Sequence, residues 1–299
     1  MSVPTAAGDG PTVLAMLDFA ADGGATLGHH FVPADAPQLQ VMDLAATRGD
    51  GVFETISLGA GRAQALEPHL RRFGHSAALL ELPPPDLDEW RIAVLAVAAA
   101  LGPIDEGFVK IVLTRGIEGQ DAPTGWAFGA ASPDHTPART VGIRIVLLDR
   151  GYRHDVAQTS PWLLAGAKTL SYAVNRAAFR EAARRGADDA LFLSSDGFLL
   201  EGAVSNLVLL TGKRMTTPRT DLGILEGTTQ HDIFGWAETQ GYSTSYELLT
   251  PQDLAAADAA WLVSSVRHAA PVRSVDGVDR AVDREVSDAI NGYLRGRTT

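Results

Sequence analysis

The chain has 299 residues, a length that corresponds to about two domains of ordinary size. Its 36 acidic and 25 basic residues give a formal net charge of −11, which argues against a protein that binds the phosphate backbone of nucleic acids. The absence of cysteine excludes a disulfide framework and a thiolate metal site, and no apolar run approaches the roughly 20 residues of a membrane span. The N-terminal run MSVPTAAGDG lacks the basic segment of a secretory signal, so we expect a cytoplasmic protein.

The first half of the chain predicts a group of strands around two helices. β-rich runs indicate the strands, and apolar residues at helical spacing indicate the helices. The predicted strands cover residues 11–20, 37–45, 51–58, 63–66, 108–116 and 141–149, and the predicted helices cover 68–80 and 86–101. The Gly, Ala and Pro content of residues 116–140 predicts a mobile surface loop.

The second half changes character at about residues 149–161 and predicts a strand meander between helices. The predicted helices cover 171–185, 227–241 and 284–296, and the predicted strands lie within 189–218, 259–266 and 272–277. Together the two halves predict an α+β protein. We expect a smaller N-terminal α/β domain over residues 1–150 and a larger mixed α/β domain over residues 151–299.

The chain contains three lysines, and one of them has an unusual sequence context. Lys213 lies in a predicted hairpin turn, and Lys110 lies in a strand, where we expect it to face solvent or a domain boundary. Lys168 follows the uncharged run WLLAGA, which would strip its amino group of hydration. Such a lysine is a candidate Schiff-base nucleophile. The alternative is a lysine that only reaches the surface beside a helix start.

Two segments with hydroxyl groups have the composition of an anion site. Gly227, Thr228 and Thr229 stand where a helix is predicted to begin, so backbone N–H groups and hydroxyl groups would converge there. Ser264 and Ser265 stand at the end of a predicted strand. Capping of the helix by a threonine is the simpler alternative for the first segment.

Charged side chains supply further candidates. Arg71 and Arg72 lie on an early turn of the first predicted helix, where one of them can point inward, although a surface arginine pair is common. Glu201 stands among apolar residues and needs a cationic partner, such as a protonated ring nitrogen, because an unpaired buried carboxylate is costly. Glu54 alternates with apolar neighbours on a predicted strand and has no evident role.

Several catalytic motifs are missing from the sequence. There is no GxGxxG or GxxxxGK[ST] pattern for nucleotide phosphates, no GxSxG elbow and no HExxH motif. The eight histidines are scattered along the chain. We therefore expect neither a metal site nor a serine hydrolase.

The candidate segments, taken in chain order, resemble those of one enzyme family. Their order is RGDGVFETI, HLRRF, TRG, AKTLSY, LEGAVSN, GILEGTTQ, VSSV and PVRSVDG. This order resembles the class IV (fold-type IV) pyridoxal-phosphate enzymes, which include branched-chain aminotransferases, D-amino acid aminotransferases, (R)-amine transaminases and 4-amino-4-deoxychorismate lyases. The resemblance spans about residues 49–277. It implies the two-domain fold of the D-amino acid aminotransferase type, a homodimer, and pyridoxal 5′-phosphate as cofactor.

The resemblance also implies roles for particular residues in the cofactor site. Lys168 matches the lysine that binds the cofactor covalently, and Glu201 matches the glutamate that keeps the pyridine nitrogen protonated. The residues that match phosphate ligands or other cofactor contacts are Arg72, Ser205, Asn206, Gly227, Thr228, Thr229, Ser264 and Ser265.

Two further residues match positions that bind the substrate. Arg115, in TRG, stands where the lyase and D-amino acid branches carry an arginine that can hold a substrate carboxylate. Tyr172 stands one residue before the position at which branched-chain enzymes carry a tyrosine, and Ala173 occupies that position here. The partner of the cofactor's phenolic oxygen therefore stays open.

The segments GDGVFET and TRG favour the lyase and D-amino acid branches over the branched-chain aminotransferases. The resemblance thus implies a lyase that converts 4-amino-4-deoxychorismate to 4-aminobenzoate and pyruvate in folate synthesis. Its partner would be a small-molecule amine, and neither nucleic acid nor membrane. A transaminase acting on D-amino acids, branched-chain amino acids or (R)-amines is the alternative. A non-catalytic relative is a third hypothesis, disfavoured because Lys168 and Glu201 are both present.

Overall fold

The computed structural model describes residues 10–21 and 23–297, which form two compact units. The first unit holds the described part of Met1–Pro133 with Ala167–Tyr172 and Arg297, and the second holds Asp134–Gly166 and Ala173–Gly296. The border falls at Pro133, not at the expected residue 150, because the strand Ile143–Asp149 pairs with strands of the second unit.

The first unit is a six-stranded antiparallel sheet with two long helices packed against it. Its elements are β1 (Thr12–Phe19), β2 (Thr26–Val32), α1 (Leu44–Arg48), β3 (Gly51–Gly59), β4 (Arg62–Ala63), α2 (Leu66–Leu79), α3 (Leu87–Leu101), β5 (Glu106–Thr114) and β6 (Thr124–Ala131). The strand order is β2-β1-β6-β5-β3-β4. Strand β3 pairs with β5 along its whole length, with Thr55 opposite Lys110.

Helices α2 and α3 confirm the two helices predicted for this half. The Asp86 carboxylate caps α3 by accepting the backbone N–H groups of Asp88 and Glu89. The helices pack through aromatic rings, since the ring centroids of Phe73 and Trp90 lie 4.9 Å apart in an edge-to-face arrangement. The strands that the structure confirms correspond to the predictions at 11–20, 51–58, 108–116 and 141–149.

The prediction of a mobile loop over residues 116–140 is wrong, because this segment contains an interior strand. Strand β6 lies between β1 and β5. Its glycines and alanines concealed it, since β-branched residues are the usual mark of a strand. The small residues are required because α3 packs directly on β6: a Cβ atom on Gly129 would lie 2.6 Å from side-chain atoms of Leu101 and Val97.

The prediction of a strand at residues 37–45 is also wrong. These residues form turns that lead into α1, where the Asp43 carboxylate accepts the N–H of Ala45. The second strand lies upstream, at β2, on the edge of the sheet. Its side chains are half-buried or exposed, so no strong apolar alternation marks it in the sequence.

The second unit is built around a larger mixed sheet. Its elements are α4 (Thr136–Thr140), β7 (Ile143–Asp149), α5 (Val156–Thr159), α6 (Ala173–Arg184), β8 (Asp189–Leu193), β9 (Leu199–Gly202), β10 (Asn206–Thr211), β11 (Arg214–Pro218), α7 (Thr228–Thr239), β12 (Ser243–Glu247), α8 (Pro251–Ala256), β13 (Ala259–Ser264), β14 (His268–Val275), β15 (Val278–Asp279) and α9 (Arg284–Gly296). The strand order is β12-β11-β10-β13-β14-β7-β8-β9, with β15 beside β14. The pairs β11–β12, β14–β7 and β7–β8 are parallel, and the other pairs in this sheet are antiparallel.

Apolar packing fixes the position of helix α7 on this sheet. Ile233 and Phe234 of α7 are buried in one cluster with Trp261 of β13 and with Ile290 and Leu294 of α9. The three helices predicted for this half and the meander over 189–218 are confirmed, whereas β12 and α8 were not predicted. The two units together confirm the α+β class. No helix in the two described stretches has both the length and the apolar character that a bilayer span requires.

We predict that Gly129→Ala destabilises the protein by about 1–3 kcal/mol, because the added methyl group overpacks the contact between β6 and α3. Urea denaturation followed by circular dichroism measures this as a lower midpoint. Gly292→Ala is the matched control, since a Cβ atom there meets nothing within 4 Å and alanine is favoured over glycine in a helix. A Gly129→Ala midpoint equal to that of the wild type would contradict the packing argument.

Candidate active site

Lys168 is held by the backbone of the first unit. Its carbonyl oxygen accepts the N–H of Phe53 at 3.0 Å, and its own N–H donates to Ser76 Oγ at 3.1 Å. Two residues on, the N–H of Leu170 donates to the carbonyl oxygen of Gly51 at 2.8 Å. These bonds align the segment Ala167–Tyr172 with the start of β3, so the position of Lys168 is fixed by a strand and not by a free loop.

The amino group of Lys168 lies on aromatic surface. Its Nζ is 4.6 Å from the ring centroid of Phe53 and 6.0 Å from that of Tyr172. The two rings meet edge to face, with centroids 5.1 Å apart. The side chain of Lys168 is half-buried, which agrees with the expected loss of hydration.

Lys110 lies on the same ring, where the sequence had predicted solvent or a domain boundary. Its Nζ is 4.7 Å from the centroid of Phe53. Burial lowers the pKa of Lys110, and the charge of Lys168 lowers it further. The strand pattern alone did not reveal this neighbour, because the segment that carries Lys168 is remote from β5 in sequence.

Glu54, for which the sequence suggested no role, is the centre of a buried ionic cluster. Its carboxylate is fully buried and accepts the Nε and Nη2 groups of Arg72 at 2.6 and 2.8 Å. His69, also buried, contacts the same carboxylate through Nδ1 at 2.7 Å. Arg72 is half-buried and Arg71 is exposed, which confirms that one arginine of the pair points inward. The spacing of His69 and Arg72 on one helix face could have indicated such a cluster.

Opposing effects set the protonation of this cluster. Burial alone would raise the pKa of Glu54, but the charges of Arg72 and His69 and their hydrogen bonds hold that pKa far below its usual range. Burial also lowers the pKa of His69. This effect outweighs the charge of Glu54 and its hydrogen bond, which would raise that pKa. Glu54 is therefore ionised at neutral pH, and Arg72 is fixed in one orientation by two bonds to it.

Arg115 makes several bonds within the first unit. Its Nε donates to Asp50 at 2.7 Å, and Nη2 and Nη1 donate to the carbonyl oxygens of Leu80 and Glu81 at 2.6 and 3.1 Å. These carbonyls follow the last turn of α2, where a cation is favourable. Arg115 thus joins the end of β5 to the end of α2, and its part in substrate binding stays a prediction.

Glu201 stands at the end of β9 in the second unit and is half-buried. Its Oε2 accepts the backbone N–H of Leu225 at 3.2 Å and Nδ2 of Asn206 at 3.5 Å. Asn206 also donates to the carbonyl oxygen of Leu225 at 2.8 Å. The amide of Asn206 therefore fixes both the carboxylate and the segment that precedes α7.

Only glycine fits at the N-cap position of helix α7. Gly227 is the N-cap residue and has no side chain with which to cap the helix. A Cβ atom there would overlap Oδ1 of Asn206. The backbone N–H groups of Thr228 and Thr229 thus begin the helix beside an amide that fixes the preceding turn.

Hydroxyl groups lie around this helix start. Thr229 Oγ1 is 3.4 Å from Ser265 Oγ, which brings the two predicted hydroxyl segments together. Ser264 ends β13 and Ser265 follows it. The Oγ of Ser205 is buried without a hydrogen-bond partner among the described residues.

Two arginines missed by sequence reasoning support the loop that follows Ser265. Arg139 is buried and donates to the carbonyl oxygens of Val266 and Arg267 at 3.2 and 3.0 Å. The Nη1 of Arg267 pairs at 2.7 Å with the fully buried Asp189. No local sequence signal indicates these contacts, because each joins residues about 80 or more positions apart.

The donor groups of the second unit suit a phosphorylated pyridine cofactor. A helix start with hydroxyl side chains is the usual site for a phosphate group. The uncapped Gly227, which must be glycine, allows the close approach that such a group requires. A carboxylate oriented by two neutral donors, as Glu201 is, suits a protonated ring nitrogen.

We predict that Glu54→Gln destabilises the protein by about 3–5 kcal/mol at neutral pH, because it leaves the Arg72 guanidinium buried without its counter-charge. The free energy of unfolding in urea measures the loss. Glu67→Gln is the matched control, since Glu67 of α2 pairs with Arg91 of α3 at the surface, and we expect a much smaller change.

The pH dependence of this loss has a definite sign. The pKa of Glu54 is lowered on folding, so its stabilisation is complete above the ordinary value of 4.5 and disappears as the pH falls through the lowered pKa. The difference between wild type and Glu54→Gln must therefore shrink on acidification below about pH 4.5. A difference that stays constant down to pH 3 would contradict the ionic assignment.

Comparison with known proteins identifies the family of this chain. The family model of class IV aminotransferases matches residues 51–275. The chain is 43% identical over 266 residues to a bifunctional aminodeoxychorismate lyase / D-amino acid transaminase of Mycobacterium tuberculosis, covering 84% of this chain and 91% of that protein.

Solved structures show the same fold. The structure of a fold IV transaminase from Curtobacterium pusillum has a TM-score of 0.92 and 51% identity, covering 96% of this chain and 100% of that one. A pyridoxal-phosphate-bound form of an aminotransferase from M. tuberculosis has a TM-score of 0.85 and 40% identity, covering 94% and 97%. The chain therefore belongs to the class IV aminotransferase family, whose cofactor is pyridoxal 5′-phosphate.

Proposed function

We propose that this enzyme is an aminodeoxychorismate lyase, which converts 4-amino-4-deoxychorismate to 4-aminobenzoate and pyruvate. The observation that carries the proposal is the half-buried Lys168 amine on the Phe53 ring, in a chain 43% identical to a relative named for this activity. The segments around Glu54 and Arg115, which favour the lyase and D-amino acid branches, support the same choice.

Lys168 has two tasks in this proposal. Pyridoxal 5′-phosphate, when bound, supplies an electron sink conjugated with the substrate nitrogen. When the cofactor is bound, Lys168 would hold it, would give up its place to the substrate amine and would regain that place when the product leaves. In between, the free Lys168 amine would take the proton from the ring carbon that carries the substrate nitrogen. The C–O bond to the enolpyruvyl group breaks as the ring becomes aromatic. The leaving group then takes up a proton and becomes pyruvate.

Glu201 and a set of donor groups are proposed to bind the cofactor. Glu201 holds the proton on the pyridine nitrogen, and Asn206 keeps its carboxylate in place through the 3.5 Å hydrogen bond. The residues proposed to bind the phosphate group are Gly227, Thr228, Thr229, Ser264, Ser265 and Arg72, with Ser205 as a further cofactor contact. Arg72 would do so in the orientation that Glu54 imposes.

Arg115 and Tyr172 are proposed to contact the substrate. Asp50 and two carbonyl groups already engage Arg115. A substrate carboxylate must therefore share the guanidinium with Asp50 or replace it. Tyr172 packs against Phe53 next to the reactive amine, so it is placed to contact the same ligand.

Transamination of D-amino acids is the second candidate. The M. tuberculosis relative is named for both activities, and the C. pusillum relative is named as a transaminase. The same proton abstraction by Lys168 would serve either reaction. The reactions differ in what they require, because the lyase expels a leaving group from its substrate, whereas transamination would need a keto acid to accept the amino group.

We predict sustained, equimolar formation of 4-aminobenzoate and pyruvate from 4-amino-4-deoxychorismate without any added keto acid. Liquid chromatography of the purified enzyme's reaction measures both products. D-Alanine alone should give at most a single turnover, because no acceptor restores the cofactor. Lys168→Ala should form neither product, whereas Lys213→Ala, which alters an exposed lysine, should retain the wild-type rate.

Two other outcomes of the product assay would change the assignment. Rapid transamination of D-alanine with an added keto acid, and no 4-aminobenzoate from the lyase substrate, would reject the lyase and establish the second candidate. Rapid formation of both sets of products would support the lyase proposal and add the second activity to it.

A further inference from the structure

Two of the three lysines in the chain converge on one aromatic ring. The Nζ atoms of Lys110 and Lys168 lie 4.7 and 4.6 Å from the centroid of Phe53, so their separation cannot exceed the sum of these distances. The register of the sheet brings them together. Thr55 of β3 stands opposite Lys110, and the N–H of Phe53 donates to the carbonyl oxygen of Lys168.

The two lysines have no carboxylate to neutralise them. Among residues 10–21 and 23–297, neither Lys110 nor Lys168 forms an ion pair. The nearest carboxylate along β3 is Glu54, and it follows Phe53 on the other face of the strand. Its oxygens are engaged by Arg72 and His69 of α2.

Two other elements of the first unit place uncharged groups near the pair. Strand β6 sets Phe128 opposite Lys110, and α2 contributes Ser76 Oγ, which accepts the backbone N–H of Lys168. Tyr172 is a titratable neighbour, with its ring centroid 6.0 Å from Nζ of Lys168.

The positive charges of the protonated Lys110 and Lys168 amino groups repel each other. The face of one phenyl ring attracts a cation, but two like charges near the same ring repel each other where water is partly excluded. The effect is visible on one partner, since the pKa of Lys110 is lowered first by burial and then by the charge of Lys168. Because the repulsion is mutual, a proton on Lys110 also opposes a proton on Lys168.

We infer that Lys110 is a positioning residue whose charge, held on the Phe53 ring, keeps the released Lys168 amine unprotonated. That amine must be unprotonated in order to take a proton from the substrate. A neighbouring cation is one established way to keep a lysine in this state. The inference rests on the proposed function only in taking Lys168 as the cofactor lysine, and it applies equally to a lyase and to a transaminase.

The small number of lysines allows a direct test at each amine. The enzyme is labelled with [ε-13C]lysine and loaded with pyridoxamine 5′-phosphate, which fills the cofactor site and leaves the Lys168 amine free. The 13C signals are followed against pH and assigned by lysine variants. In Lys110→Met the titration midpoint of Lys168 should rise by about one pH unit. Lys110→Arg keeps the charge and should leave the midpoint within roughly 0.3 pH units of wild type.

Lys213→Met is the matched control, because it removes an exposed lysine from the turn between β10 and β11. Its Lys168 midpoint should equal that of the wild type. An unchanged midpoint in Lys110→Met would overturn the inference. An equal rise in Lys110→Met and Lys110→Arg would also overturn it, because lost packing and not lost charge would then be responsible. Absence of 4-aminobenzoate in the product assay would reject the lyase alone and would leave this titration to decide the inference.

Discussion

The alternation of side chains along strand β3 is the constraint on which the first unit depends. One face of the strand carries Glu54, whose fully buried carboxylate is paired with Arg72 and His69 of α2. The other face carries Phe53, the ring on which Lys110 and Lys168 lie. A slip of one residue in the register would exchange the two faces, leaving a carboxylate among the lysines and a phenyl ring against the arginine.

This arrangement separates two electrostatic environments across a single strand. The Glu54 carboxylate fixes the orientation of Arg72. Because Glu54 points to the opposite face of β3 from Phe53, its carboxylate does not lie beside Lys168. On the aromatic face, Lys110 and Lys168 form no ion pair with any residue that the structure describes. The role proposed for Lys168, as nucleophile and base, suits such a surface, because a nearby carboxylate would favour the protonated amine.

The second unit relies on backbone geometry more than on charge. Asn206 links Oε2 of Glu201 to the segment before α7 and, by its closeness to Gly227, requires glycine at the helix start. The apolar face of α7 fixes the helix on the sheet. Arg139 holds the loop after Ser265 in a similar way. Neighbouring groups thus position the Glu201 carboxylate, the start of α7 and the loop after Ser265.

The sequence predicted those features that have a local physical signature. The uncharged run before Lys168 indicated its half-buried position, and the hydroxyl-rich start and apolar spacing indicated α7. Strand β6 could not, because its glycines serve the packing of α3, a contact that is not local. The same reason concealed the meeting of Lys110 with Lys168 and the pairing of Arg267 with Asp189. Glu54 lies between these cases, since its partners on α2 have a recognisable helical spacing but its own strand gives no hint of them.

The central claim is that Lys168, and not its neighbour on the Phe53 ring, carries the cofactor. Borohydride reduction of the purified enzyme, followed by proteolysis and peptide mass mapping, tests it directly, because reduction fixes the cofactor to the nitrogen that bears it. The account predicts a phosphopyridoxyl group on Lys168, with Lys110 and Lys213 unmodified. A phosphopyridoxyl group on Lys110 would contradict the account, since that amine lies on the same ring at 4.7 Å.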